Sequence, residues 1–218
     1  MKRIYCFLIS IWVCISSYAQ QDMIVASHYL LPEFTQGVIL MKAGERKAAL
    51  LNYNSLTEEM IFVDKGQKKA IGRGEMQLVD TIYIEDRKFV VQDEKFIELV
   101  YHSKWDLYVE HKCQVEEPGK PAGYGGSSKT GASTSISSLY TQGKVVYDLK
   151  LPDDYKTIPY SIYWLKKSGE FHQFLNMREL KKLYGDKKDL YKEYLKNNHV
   201  KYQDQEGIIQ FIEYLESH

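Results

Sequence analysis

FIELVYHSKWDLYVEHKCQV, residues Phe96 to Val115, carries the clearest structural signal in the chain. Apolar and polar residues alternate on both sides of His102-Ser103-Lys104, and β-branched and aromatic residues dominate both arms. That is the pattern of two antiparallel strands joined by a tight loop. Neighbours on one face of a sheet must agree in polarity, so the register follows from the pattern. A three-residue loop at His102-Ser103-Lys104 sets Tyr101 opposite Trp105, Leu99 opposite Leu107 and Ile97 opposite Val109, leaving Val100 opposite Asp106 and Glu98 opposite Tyr108. A two-residue loop would oppose Leu99 with Tyr108 and Ile97 with Glu110, which mixes the faces. The longer loop is expected, and His111 and Cys113 then continue the inward side of the second strand.

The same grammar runs upstream. Val38 to Met41, Ala48 to Tyr53, Met60 to Val63, Thr81 to Ile84 and Phe89 to Val91 are short apolar runs cut by turn residues. Lys42-Ala43-Gly44-Glu45, Asp64-Lys65-Gly66-Gln67 and Lys167-Ser168-Gly169-Glu170 read as hairpin tips, with glycine supplying a positive φ. Downstream, Lys144 to Leu151 and the hairpin Tyr160 to Leu175 are further strands. Between them, Glu116 to Ser138 holds Pro118, Pro121 and five glycines among many Ser and Thr, the composition of a long loop that is mobile or functional. From about Asn176 the chain turns helical. Asn176, Asp186 and Asp204 are candidate N-caps for three short helices, the second carrying Leu190, Tyr194 and Leu195 and the third Ile208, Phe211, Ile212 and Leu215. The fold class expected is α+β, mainly β: an antiparallel curved sheet or partly open barrel with about three short C-terminal helices packed on it.

The first nineteen residues, Met1 to Ala19, read as a secretory signal peptide. Lys2 and Arg3 form the positive start, Ile4 to Ile15 the apolar core, and Ser16-Ser17-Tyr18-Ala19 the small-residue cleavage box. Twelve apolar residues fall short of the roughly 20 that span a bilayer, so a membrane anchor is disfavoured. The expectation is an exported protein, periplasmic or secreted, with Gln20 to His218 as one domain. Net charge is zero for the full sequence, and the signal removes two basic residues and no acidic one. No basic patch emerges, so a nucleic-acid partner is not expected. Of the three cysteines only Cys113 follows the signal, so no disulfide framework exists; a buried, inert thiol is expected there.

Sequence signals for chemistry are sparse. Gly123-Tyr124-Gly125-Gly126-Ser127-Ser128-Lys129-Thr130 approaches a phosphate-binding loop, but Ser128 replaces the required glycine and neither a buried strand precedes it nor a helix follows. Tyr124, Gly125, Gly126, Ser127 and Ser128 are retained as candidate ligand-binding residues. Ser127 or Ser128 with a distant histidine is the route to a hydrolase, without a nucleophile-elbow motif to support it. His111 and Cys113 point the same way, as two metal ligands would, yet no second pair accompanies them; no metal and no cofactor is expected. There are eighteen tyrosines, two in the signal and many of the rest in the second half, and they either pack the core and sheet faces or present a surface to a glycan, peptide or envelope protein.

LLNYNSLTEEMIF (Leu50 to Phe62), VDTIYI (Val79 to Ile84) and GYGGSS (Gly123 to Ser128) resemble a family of exported Bacteroidetes proteins for which no activity is established. The resemblance covers nearly all of the chain after the signal. It implies export and one continuous domain, and no catalytic residues. Three functions follow as expectations. The first is a non-enzymatic envelope protein binding a protein or ligand partner; the others are a barrel-type small-ligand carrier and a hydrolase using the Gly123 to Ser128 loop.

Overall fold

Alternating strands that bury one face need a partner layer, and the chain supplies it by curling one sheet and laying helices against the end of it. The computed structural model describes residues 28–116, 120–122, 126–128 and 156–218. In chain order the strands are β1 (Thr35–Met41), β2 (Arg46–Asn54), β3 (Glu59–Asp64), β4 (Gln67–Ala70), β5 (Val79–Ile84), β6 (Arg87–Gln92), β7 (Lys95–Tyr101), β8 (Asp106–Glu116), β9 (Lys120–Ala122), β10 (Gly126–Ser128), β11 (Lys156–Lys167) and β12 (Glu170–Phe174). The helices are α1 (Arg73–Met76), α2 (Met177–Leu183), α3 (Lys188–Asn197) and α4 (Gln205–Ser217). Ten strands form one antiparallel sheet in the order β12-β11-β8-β7-β6-β5-β1-β2-β3-β4. The sheet is a meander apart from one step: β2, β3 and β4 continue outward from β1, and the chain returns through α1 to add β5 on β1's other side.

Two edges, β12 and β4, remain, so the sheet is open and curved rather than a closed barrel. The curl is nonetheless tight. Strand β3 touches β7 although four strands separate them in the sheet, and the Tyr53 ring lies 6.1 Å from Phe89 and 6.3 Å from His111. Inside the curl Leu51, Tyr53, Met60, Ile82, Ile84, Phe89 and Phe96 are fully buried. Gly37 sits at the tightest point: a Cβ there would meet the Tyr83 carbonyl oxygen at 2.5 Å. The same face continues across β8, β11 and β12, where Leu107, Val109, Tyr163, Leu165 and Phe174 pack under α2, α3 and α4. No helix among the described residues is long and apolar enough to cross a membrane.

Turn chemistry explains most of the element boundaries. Gly44, Gly66 and Gly169 all adopt positive φ at the expected tips. Asn176 caps α2 by accepting from the Arg178 and Glu179 amides, and Asp204 caps α4 through the Gly207 amide. Asp186 does not cap. It lies inside a 3-10 turn, Gly185–Lys187, held because Tyr184 is buried against Trp105 and the Lys187 ammonium donates to the Leu215 carbonyl. α3 therefore starts at Lys188, and it is Tyr191 that it buries, with Leu190, Tyr194 and Leu195 partly covered. The stretch expected to be one long loop contains a small hairpin, β9 with β10, while the strand expected at Lys144 to Leu151 lies outside the described residues.

The register expected for the β7–β8 hairpin is overturned. Leu99 pairs with Tyr108 and Glu98 with Val109, and the register shifts between Leu99 and Tyr101 so that Tyr101 pairs with Leu107. Polarity failed to discriminate because both faces of this hairpin are apolar. Ile97, Tyr108 and Trp164 form a cluster on the convex face, with Val90, Leu99 and Phe171 against it. Glu98 consequently points into the curl, the position that the sequence pattern would give to an apolar residue.

Candidate functional site

The ionisable groups concentrate where β7 and β8 cross the middle of the sheet. On the concave face Glu98 Oε2 lies 2.5 Å from His111 Nε2 and 3.0 Å from Arg87 Nη1, and only 9% of its side chain is exposed. Glu98 neighbours Phe89 on β6, so the pair fills the gap between the curl's core and the helical core. On the convex face Glu110 is fully buried. Its Oε1 accepts from Lys95 at 2.7 Å and Lys112 at 3.1 Å, and its Oε2 accepts from the Trp164 indole at 3.3 Å. Lys112 also reaches Glu58 at 2.6 Å, tying the β2–β3 turn to β8.

The charges in this cluster serve one another. Burial alone would raise the Glu110 carboxyl, but hydrogen bonds from Lys95 and Lys112 outweigh it and hold the group below its ordinary value. Lys112 shows the mirror effect: burial would lower it, and its bonds to Glu58 and Glu110 hold it above its ordinary value. Tyr53 is pushed well up by burial, with Glu58, Glu110 and Glu59 adding to the effect, so its phenol stays protonated. Four buried side-chain oxygens have no hydrogen-bond partner among the described residues: Tyr163 Oη on β11, and Tyr53 Oη, Thr57 Oγ1 and Glu59 Oε2 from the end of β2 to the start of β3. Such atoms are what a water or a small polar guest would satisfy.

Sequence reasoning singled out His111 and Cys113, and the structure separates their roles. His111 pairs with Glu98, whereas the Cys113 sulfur contacts the Gln114 carbonyl. Burial pushes the thiol above its ordinary value, only partly opposed by a hydrogen bond to the Ile158 backbone. A catalytic thiolate needs the opposite shift. Alkylation of Cys113 is therefore expected to be several-fold slower than that of a free cysteine at neutral pH, with a rate still rising above pH 9, as a pH profile with iodoacetamide would read. A plateau below pH 8 would contradict it. No three His, Cys, Asp or Glu residues among the described ones are placed to hold a metal.

Of the residues proposed from sequence as ligand-binding, Gly126, Ser127 and Ser128 form β10 and pair with Ala122, Pro121 and Lys120 of β9. Tyr124 and Gly125 lie outside the described residues. Glu98 and Glu110 were missed. The signal was present: each is an acid within a predicted strand, with Arg87 and Lys95 on neighbouring strands and Lys112 two residues along β8 available to pair with them. No protein-family model, curated protein or solved structure matches this chain.

Proposed function

We propose that this protein is an exported, non-catalytic binding protein. The observation that carries the reading is the mutual pairing of Glu98 with Arg87 and His111, and of Glu110 with Lys95 and Lys112. Catalysis needs an acid, base or nucleophile poised toward substrate. Here the Glu98 and Glu110 carboxylates are spent on protein partners, and the Cys113 thiol is shifted away from reactivity. The filled interior of the curl, with Leu51, Met60, Ile82 and Phe89 fully buried, weighs against the carrier reading. Export rests on Lys2, Arg3 and the apolar run Ile4 to Ile15. The orphaned oxygens of Tyr53, Thr57 and Glu59 mark where a small polar ligand would gain most.

Thermal unfolding of Gln20 to His218 against glycans, peptidoglycan fragments, peptides and lipids tests the proposal. A ligand present at about 100 times its Kd adds about 2.7 kcal/mol, which raises the midpoint by roughly 5–10 °C. Loss of that shift in Tyr53→Phe would place the ligand at the orphaned oxygens. A shift retained in Tyr53→Phe would place it elsewhere, and turnover of any panel member would refute the non-catalytic reading.

A further inference from the structure

Strand β11 is longer than the partner on its outer side. It pairs with β8 from Lys156 to Lys166, but with β12 only from Tyr163 to Lys167. The outer edge from Lys156 to Ile162 would therefore be open, and open edges recruit other strands. Along an antiparallel strand every second residue directs its N–H and C=O to the same side. Ser161 directs both outward, where the Gln203 side chain takes them: the Ser161 amide donates to Gln203 Oε1 at 2.9 Å, and Gln203 Nε2 donates to the Ser161 carbonyl at 3.2 Å. The next outward position is Pro159, which has no N–H to offer. Immediately before Gln203, the Tyr202 hydroxyl donates to the Phe174 carbonyl at 2.9 Å, where β12 ends. Its ring stands edge-on to Tyr163 and Phe174, with centroids 5.2 and 6.1 Å away.

We propose that the α3–α4 connection, through Tyr202 and Gln203, acts as a substitute strand that closes β11 against pairing with a second copy of this chain. The second copy is the fitting occupant because the edge is self-complementary. A two-fold axis through Pro159 sets Ser161 opposite the other copy's Thr157, both outward-facing, with Ile158, already 40% exposed, beside the seam. Among the described residues, the missing N–H of Pro159 and the occupied groups of Ser161 stand against that pairing.

Hydrogen exchange and light scattering read the two halves of the proposal. Gln203→Ala is expected to speed Ser161 amide exchange roughly tenfold while the β8-bonded amide of Ile162 keeps its protection. Gln203→Ala combined with Pro159→Thr is expected to dimerise with rising concentration and to regain Ser161 protection as it does. Adding Thr157→Lys, which places a charge on the seam, is expected to return the protein to monomer. Equal Ser161 exchange in wild type and Gln203→Ala would overturn the capping. A folded double variant that stays monomeric up to the millimolar range, or a dimer indifferent to Thr157→Lys, would overturn the guarded edge.

Discussion

Replacing Asn52 by alanine is expected to lower the unfolding free energy by about 3–5 kcal/mol, a large part of the 5–15 kcal/mol typical of a domain. Asn52 is 1% exposed, and its side chain makes every hydrogen bond an amide can make here. Oδ1 accepts from the Leu31 amide at 3.0 Å and the Tyr53 amide at 2.8 Å; Nδ2 donates to the carbonyls of Leu31 at 2.9 Å and Glu33 at 3.1 Å. Alanine would leave these backbone groups desolvated without partners, at about 1–3 kcal/mol for each that water cannot reach. It would also release Leu31, which packs on the core inside the curl. Urea unfolding measures the loss. Asn52→Asp separates the contributions, since it keeps the two acceptor bonds and forfeits both donor bonds. A loss below about 1 kcal/mol in Asn52→Ala would show that the segment before β1 is held by apolar packing instead.

That segment shows why part of the structure was legible and part was not. Strands β1, β2, β3, β5, β6 and β8 follow from local alternation and from tips such as Lys65-Gly66, because those signals lie within a few residues of what they determine. The caps at Asn176 and Asp204 are local in the same sense. Asn52 reads as an ordinary strand residue in LLNYN, and three of its four hydrogen bonds go to residues 19 and 21 positions away, where no periodicity reports them. Register in the β7–β8 hairpin required knowing that Trp164 packs with Ile97 and Tyr108 to bury the convex face too, a contact that β11 supplies from outside the hairpin. Strand β4, with two lysines in four residues, lacks an apolar face and could be seen only through its pairing with β3. Of the candidate site, the sequence offered a glycine-rich spelling at Gly123 to Ser128, whereas the groups that folding concentrates are Glu98, Glu110 and their basic partners. A buried charge betrays itself only when the opposite charge is known to be near, and strand order decides that.

Glu110→Ala is expected to cost about 3 kcal/mol, because it leaves Lys95 without its carboxylate and Lys112 with Glu58 alone rather than because it deletes attraction. Lys112 is 16% exposed and Lys95 35%, so the first cannot retreat into water while the second partly can. The Trp164 indole would lose its acceptor as well. Substituting Glu110, Lys95 and Lys112 together with Leu or Met should recover most of the loss, since a well-packed apolar trio desolvates nothing charged; Glu58 at the turn, 32% exposed, can then turn to solvent. The pH dependence follows from the same bonds. The Glu110 carboxyl is lower in the folded state than in the unfolded chain, so its contribution is complete above about pH 4.5 and is lost as pH falls through the lowered value. The Lys112 ammonium is higher in the folded state, so its contribution is complete below about pH 10.5 and is lost as pH rises through the raised value. Stability should therefore be flat between those limits as far as this network governs it. Glu110→Gln should shed the acidic limb specifically, being already destabilised at pH 7 and losing less than wild type on going to pH 3. Equal acid sensitivity of wild type and Glu110→Gln would show that the Glu110 network does not carry the acid limb.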